Sequence, residues 1–332
     1  MTSDPVDRLL LDELGDLPDR IAVIDDDSGD LTAALAESSA AVTAHSDTLP
    51  SQRRVADHVR DAAVIADDLT AALTGAELVV LRLPKSLDAL DEIARTAALV
   101  GAPGVRLVAG GRVKHMTPSM NGVLGTSFGA VRASLGRQKS RVLHAADPRP
   151  VEQVWPKHRH HQSLDLTVHA HGAAFAGTRL DAGTALLITQ LDRLTDTDGT
   201  VVDLGCGTGI LAALLSRRFA DVVAIDVSAA AVASARLTAP GVDVRRSDGL
   251  TTLADHSVAR IVSNPPFHVG TTKDSTPTLE MIADAGRVLI SGGELIMVFN
   301  AHLPYLPRLT RLGRTDILAR DRHYLVTRTI RD

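Results

Sequence analysis

Short apolar runs alternate with stretches of helical spacing along the whole chain. The runs are nearly continuous, not broken at every second position. Such strands are buried on both faces, as in a parallel sheet covered by helices. In the first half, Arg20-Ile21-Ala22-Val23-Ile24, Ala41-Val42-Thr43-Ala44, Leu78-Val79-Val80-Leu81 and the stretch from Gly104 to Gly111 read this way. Residues 1–20 predict an acidic helical lead-in. Further helices are expected from Leu31, from Arg53 to Ala63 and from Ser86 to Leu99. Strands alternating with helices predict an α/β fold with a mostly parallel sheet.

The second half repeats the pattern. Strands are expected at Thr200 to Leu204, Asp221 to Asp226, Val242 to Arg246, Ile261 to Ser263 and Gly293 to Val298. Helices are expected from Ile210 to Arg218, Ser228 to Ala239 and Leu279 to Leu289, and a closing strand pair runs through Tyr324-Leu325-Val326-Thr327. A shift of 180 positions lays Gly209 on Gly29, Leu211 on Leu31 and Leu215 on Leu35. The same shift lays Gly205, Gly207 and Asp226 on Asp25, Asp27 and Ser46, and a shift of 181 lays Pro265 on Pro84. The chain therefore reads as a tandem duplication of one α/β unit whose first copy has lost its glycines and second-strand acid.

Composition narrows the class. A length of 332 residues allows two ordinary domains. Aromatic residues make up only 2%, so the cores must be built from Ala, Val and Leu. No run approaches the roughly 18 apolar residues of a membrane span, the N-terminus does not read as a signal peptide, and a cytoplasmic enzyme is expected. One cysteine, Cys206, excludes an internal disulfide and a cysteine-type zinc site. Net charge is −5, but residues 111–180 carry 10 Lys and Arg against 3 acids and hold seven of the 13 histidines. The expected division is residues 1–150, a basic, His-rich connector over 151–180, and residues 181–332.

Two motifs carry chemistry. Asn264-Pro265-Pro266-Phe267 follows the strand ending at Ser263. The prolines stop the strand, and the Asn oxygen with the Pro265 carbonyl can accept from both protons of a planar –NH2. Phe267 offers a flat face for stacking. The plainer alternative is a Pro-Pro turn with Phe267 in the core. The second motif, Asp203-x-Gly205-x-Gly207-x-Gly209, lies between a strand and a helix, with Cys206 inside it. Glycines there let the backbone approach a ligand, and Asp226 ends the next strand where a carboxylate can take ribose hydroxyls. Asp248, past the third strand, is placed to meet an adenine amine. The glycine spacing is not the G-x-G-x-x-G of dinucleotide sites.

On these residues the chain resembles a known family. Val201 to Gly209 looks like the first motif of class I S-adenosylmethionine-dependent methyltransferases, and with Asn264 to Phe267 it resembles the branch that methylates exocyclic amines. The segment Phe175 to Leu187, the run Ser263 to His268 and the run Asn300 to Tyr305 resemble the bacterial ribosomal RNA guanine-N2 methyltransferases of the small and large subunits. The resemblance covers about 170–332 in sequence and 1–150 in architecture alone. It implies two tandem Rossmann-like methyltransferase domains, the N-terminal one degenerate and unable to bind cofactor. It implies that Asp203, Gly205, Cys206, Gly207, Gly209, Asp226, Asp248 and Asn264 hold S-adenosylmethionine, that Asn264, Pro265, Pro266 and Phe267 hold the base, and that ribosomal RNA or a ribosomal subunit is the partner. A monomer is favoured, since duplication can stand in for a dimer.

Other signals are weaker. Arg112, Lys114, Arg132, Arg137, Lys139, Arg141, Lys157 and Arg159 suggest an RNA-contacting surface, against a merely solvated face. His158, His160, His161, His169 and His171 lack the acids or cysteine to complete a metal set, and no metal is expected. Cys206 fits a small packing residue. Competing functions are a methyltransferase for adenine N6 or a protein glutamine, which share the Asn-Pro-Pro-Phe type of motif. An NAD-dependent oxidoreductase conflicts with the glycine spacing. A non-catalytic RNA-binding assembly protein conflicts with the intact C-terminal motifs.

Overall fold

The computed structural model describes residues 4–38, 41–265 and 276–332. It divides into two compact units, residues 1–156 with 171–173, and residues 157–170 with 174–332.

The first unit runs α1 (Pro5–Glu13), β1 (Arg20–Ile24), α2 (Asp30–Ala36), β2 (Ala41–His45), α3 (Leu49–Val59), β3 (Val64–Ile65), α4 (Leu69–Leu73), β4 (Leu78–Arg82), α5 (Leu87–Val100), β5 (Arg106–Arg112), α6 (Pro118–Ser127), β6 (Phe128–Ala133) and β7 (Ser140–Pro148). The sheet order is β3-β2-β1-β4-β5-β7-β6. The first five strands are parallel, and β7 runs antiparallel to both β5 and β6. Alternate positions of the apolar strands face opposite layers. Ala22, Ile24, Val79, Leu81 and Leu107 pack with Leu90, Ile93 and Leu124 of α5 and α6. Ile21, Val23, Leu78, Val80 and Val108 pack with Leu10, Leu31, Leu35 and Val55 of α1, α2 and α3. Each fully buried Val or Leu contributes about 1.5–3 kcal/mol. Helix starts are set locally: the Asp4 carboxylate accepts from the Val6 amide at 2.6 Å ahead of α1, and Ser86 Oγ accepts from Ala89 N at 3.2 Å ahead of α5.

The second unit begins with an antiparallel hairpin of β8 (Lys157–His161) and β9 (Leu166–Ala170). It continues with α7 (Ala182–Ile188), β10 (Thr200–Leu204), α8 (Ile210–Leu215), β11 (Val222–Asp226), α9 (Ala229–Thr238), β12 (Asp243–Arg246), β13 (Val258–Ser263), α10 (Thr276–Val288), β14 (Leu289–Asn300), α11 (Leu306–Leu312), β15 (Gly313–Arg320) and β16 (Tyr324–Arg331). Its large sheet is ordered β12-β11-β10-β13-β14-β16-β15. This is the order of the first sheet strand for strand, as a duplication requires. Val202, Leu204, Val223, Ile261 and Met297 bury against α10 and α11, while Val201, Val222, Val262 and Ile296 bury with Leu187, Leu211 and Leu215 of α7 and α8.

Three features differ from expectation. Helix α3 starts at Leu49 and ends at Val59, because Pro50 sits in its first turn, where a missing N–H does no harm. The basic stretch is divided between the two units. Arg112, Arg132 and Arg141 stand on β5, β6 and β7, while Lys157 and Arg159 stand on β8. Arg137 is paired with Asp12 at 3.3 Å and Glu13 at 3.8 Å. Residues 157–170 belong to the second unit, where Leu166 and Val168 of β9 enter a core shared with α9.

One buried ion pair ties β13 to β14. Arg260, 2% exposed, donates through Nε and Nη2 to Glu294 Oε2 at 2.8 and 2.5 Å, and through Nη1 to the Thr195 carbonyl at 2.9 Å. Removing only one partner strands a buried charge. Glu294→Leu is expected to destabilise the second unit by about 3–5 kcal/mol, read as a lower urea midpoint. The double change Arg260→Met, Glu294→Leu is expected to recover most of that loss, and a single variant as stable as the parent would show the pair to be dispensable.

Candidate active site

Strands β10 and β13 are parallel neighbours in register, with Leu204 opposite Ser263. The next residues, Gly205 and Asn264, therefore leave the sheet side by side. Ser263 Oγ donates to the Leu204 carbonyl at 2.7 Å and fastens the two ends.

The loop after β10 turns on three left-handed glycines, Gly205 (φ +72), Gly207 (φ +52) and Gly209 (φ +81). Gly209 is required twice over, because a Cβ there would lie 2.8 Å from Ala235 Cα of α9. At Gly205 and Gly207 the reason differs. Among the described residues, a Cβ at Gly205 would meet only the Asn264 carbonyl, at 4.0 Å, and one at Gly207 would meet nothing within 4 Å. That open face of backbone fits a ligand laid along the loop. Asp226 braces the loop: its Oδ2 accepts from Gly207 N at 2.9 Å and its Oδ1 from Ser228 N at 3.0 Å. A carboxylate has further lone pairs for a ribose.

Asp203 sits beneath the loop. It is wholly buried, its Oδ2 accepts from Ala212 N at 2.8 Å, and its Oδ1 is buried with no partner. Burial, reinforced by the nearby Asp226, pushes its carboxyl up to about 7. Cys206 is 8% exposed, and burial pushes its thiol well above the ordinary range, with Asp203 and Asp226 adding to the shift. A thiol so held is not a nucleophile near neutral pH.

Asn264 meets two residues from a distant part of the chain. Its Nδ2 donates to Thr184 Oγ1 at 2.9 Å and lies 3.2 and 3.4 Å from the two oxygens of Asp181. Among the described residues its buried Oδ1 has no hydrogen-bond partner. Asp181 also caps α7, accepting from Gly183 N at 3.0 Å. These residues border a cleft of about 400 Å³ lined by Phe175, Arg179, Asp181, Thr184, the loop from Gly205 to Thr208, and Asn264. Phe175 is 69% exposed at this cleft.

Of the expected site residues, Gly205, Cys206, Gly207 and Asn264 line the cleft. Asp203, Gly209 and Asp226 lie behind or beside the loop and shape it. Asp248 is exposed just past β12, and Pro265 is buried after Asn264. Pro266 and Phe267 lie outside the described residues. Asp181 and Thr184 were missed as site residues, although they stand in the stretch Phe175 to Leu187. Their Asp-x-x-Thr spacing at a helix start was the available signal. Among the described residues no group of three or more His, Cys, Asp or Glu could hold a metal, and no helix is long and apolar enough to cross a membrane. His161 Nε2 meets the Thr178 carbonyl at 2.8 Å, and His171 Nδ1 meets Glu92 at 2.5 Å.

Comparison with known proteins bears on both halves. Residues 165–328 match the family model described as methyltransferase small domain, and residues 3–149 match the one described as RLMG N-terminal domain. The ribosomal RNA large subunit methyltransferase G of Pseudomonas savastanoi pv. phaseolicola is 33% identical over 94% of this chain and 88% of its own. The protein of the same name from Aeromonas hydrophila subsp. hydrophila is 30% identical over 99% and 92%. A solved structure, the T. thermophilus 16S rRNA N2 G1207 methyltransferase (RsmC) in complex with AdoMet and guanosine, shares the fold with a TM-score of 0.82. It covers 99% of this chain and 92% of that one at 23% identity.

Asp203 sets a pH dependence. Folded, it keeps a proton up to about pH 7 that the unfolded chain gives up near 3.8. The folded state thus binds the extra proton between those values, so this group's contribution is greatest below the lower value and is lost as pH rises to the upper one. Asp203→Asn is expected to remove that decline. The thermal midpoint of the variant should gain on the parent between pH 4 and 7, and a constant difference across that range would refute the assignment.

Proposed function

The chain belongs to the bacterial ribosomal RNA guanine-N2 methyltransferase family, and from that premise we propose that it methylates the exocyclic N2 amine of a guanine in large-subunit ribosomal RNA. That it is an S-adenosylmethionine-dependent ribosomal RNA methyltransferase follows from the family. The particular amine, the subunit and the residue roles are our inference, the subunit being taken from the relatives' name.

One observation carries the chemistry: the orientation of Asn264. A carboxylate only accepts hydrogen bonds, so the amide nitrogen must face Asp181, and the oxygen is left for something else. A buried acceptor without a donor costs about 1–3 kcal/mol. An incoming –NH2 recovers that cost. The amine is a weak nucleophile because its lone pair is shared with the ring. S-adenosylmethionine supplies an electrophilic methyl group whose leaving group is a neutral thioether, so no acid is needed. The protein's task is to aim the amine and to stabilise the positive charge that grows on it. Asn264 Oδ1 and the Pro265 carbonyl suit both tasks by accepting the two N–H bonds. The proton then passes to water. A base paired or stacked in RNA must first be exposed, at about a few kcal/mol.

Asn264→Ala is expected to lower the single-turnover rate roughly 100- to 1,000-fold, the range for one preorganised group serving transition-state charge. Affinity for S-adenosylmethionine, measured by calorimetry, should change little. The assay uses ribosomal RNA from cells lacking this protein, methyl-labelled S-adenosylmethionine and digestion to nucleosides. Label in N2-methylguanosine of the large-subunit RNA supports the proposal. Label in N6-methyladenosine, or in protein alone, overturns the choice of amine.

A further inference from the structure

We propose that Asp181 and Thr184 are positioning residues for the methyl transfer, holding the Asn264 amide with its oxygen toward the acceptor amine and lending that oxygen negative charge. The inference rests on the reading of Asn264 as the group that receives the amine. It adds two residues, some 80 positions earlier in the chain, that decide which end of the amide the substrate meets.

An Asn side chain has two near-isosteric ends, and a half turn exchanges them. Here the exchange is blocked. Three acceptor atoms surround Nδ2: Thr184 Oγ1 at 2.9 Å, Asp181 Oδ2 at 3.2 Å and Asp181 Oδ1 at 3.4 Å. After a half turn, a carbonyl oxygen would face the carboxylate, and an –NH2 would face the acceptor amine, donor against donor. Asp181 cannot swing away either, since it caps α7 through Gly183 N at 3.0 Å and Thr184 N at 3.4 Å. The helix start fixes the carboxylate, the carboxylate fixes the amide, and the amide presents Oδ1.

The charge matters as well as the geometry. In the transfer the N–C bond forms as the C–S bond breaks, and positive charge moves from sulfur to the amine nitrogen before a proton leaves to water. A carboxylate bonded to the far side of the amide polarises it, as successive hydrogen bonds in a chain do. Asp181 thus acts on the amine through Asn264, without touching it.

The change that tests this is Asp181→Asn. Asparagine still caps helices well, but it has one acceptor where aspartate has two. With its oxygen on the cap, its own –NH2 confronts that of Asn264 and turns the amide round. The variant is expected to lose roughly 10- to 100-fold in single-turnover rate, the scale of one charge-assisted hydrogen bond. KM for RNA and the thermal midpoint should be nearly unchanged. Thr184→Val should lose part of the rate, and Thr184→Ser should restore it. The decisive comparison repeats Asp181→Asn in the Asn264→Ala background, with enzyme in excess. A further loss of less than about threefold there means that Asp181 works through Asn264. Equal losses in both backgrounds, or full activity of Asp181→Asn, overturn the proposal. If the parent enzyme labels a nucleoside other than N2-methylguanosine, the guanine reading fails, while the coupling between Asp181 and Asn264 still decides this one.

Discussion

Two parallel strands that end side by side constrain everything else in the catalytic half. β10 and β13 are neighbours in the sheet although two strands and two helices separate them in sequence. The order β12-β11-β10 runs one way from that point and β13-β14 the other. A crevice opens where the winding reverses, at the carboxyl ends of the strands. The glycine loop leaves one strand and Asn264 leaves the other, so the two motifs meet at one point of the crevice. Ser263 Oγ, bonded to the Leu204 carbonyl at 2.7 Å, keeps the two exits from sliding.

The first unit has the same strand order but a different loop after its first strand. At its turn after β1, Asp25 keeps a left-handed φ of +58, where the second copy has Gly205. Asp26 folds inward. Its Oδ1 accepts from the Ser28 and Gly29 amides, and its Oδ2 from Thr32 N at 2.9 Å and Thr32 Oγ1 at 2.8 Å. Three backbone amides of this turn and of the start of α2 are thus bonded to a side chain of the loop itself. In the second unit Cys206 stands at the position of Asp26, and the acid that braces the loop, Asp226, reaches over from the next strand to the Gly207 amide at 2.9 Å.

How much of this was legible in the sequence depends on the range of the forces involved. The buried parallel strands were plain, because Val79, Val80, Val201 and Val202 leave no polar position to misread. The glycine loop and Asn264 were also plain, since turn chemistry and a strand stop are local. Some of the elements missed have a weak pattern by construction. β6 exposes most of its length at a sheet edge, with only Phe128 buried, so no alternation marks it. β8 and β9 hide in a run of histidines because only β9 faces a core. The partnership of Asp181 and Thr184 with Asn264 spans 80 residues or more. Only the packing of α7 against the sheet brings them together, and no local rule reports that.

The choice of an amide at position 264 follows from its neighbours. A carboxylate would be the stronger acceptor for an amine gaining charge. Placed there, however, it would face Asp181 about 3 Å away, and two carboxylates at that distance cannot both stay ionised. One would hold a proton and become a donor, which is the wrong polarity for an amine. An asparagine oxygen cannot be protonated in this range, and it costs less to bury than an ion. Asp181 stands one hydrogen bond further back, where its contact with Nδ2 sets the orientation of the amide. In the proposed transfer the acid and the amide therefore work as a pair in that order, with the acid behind and the acceptor in front.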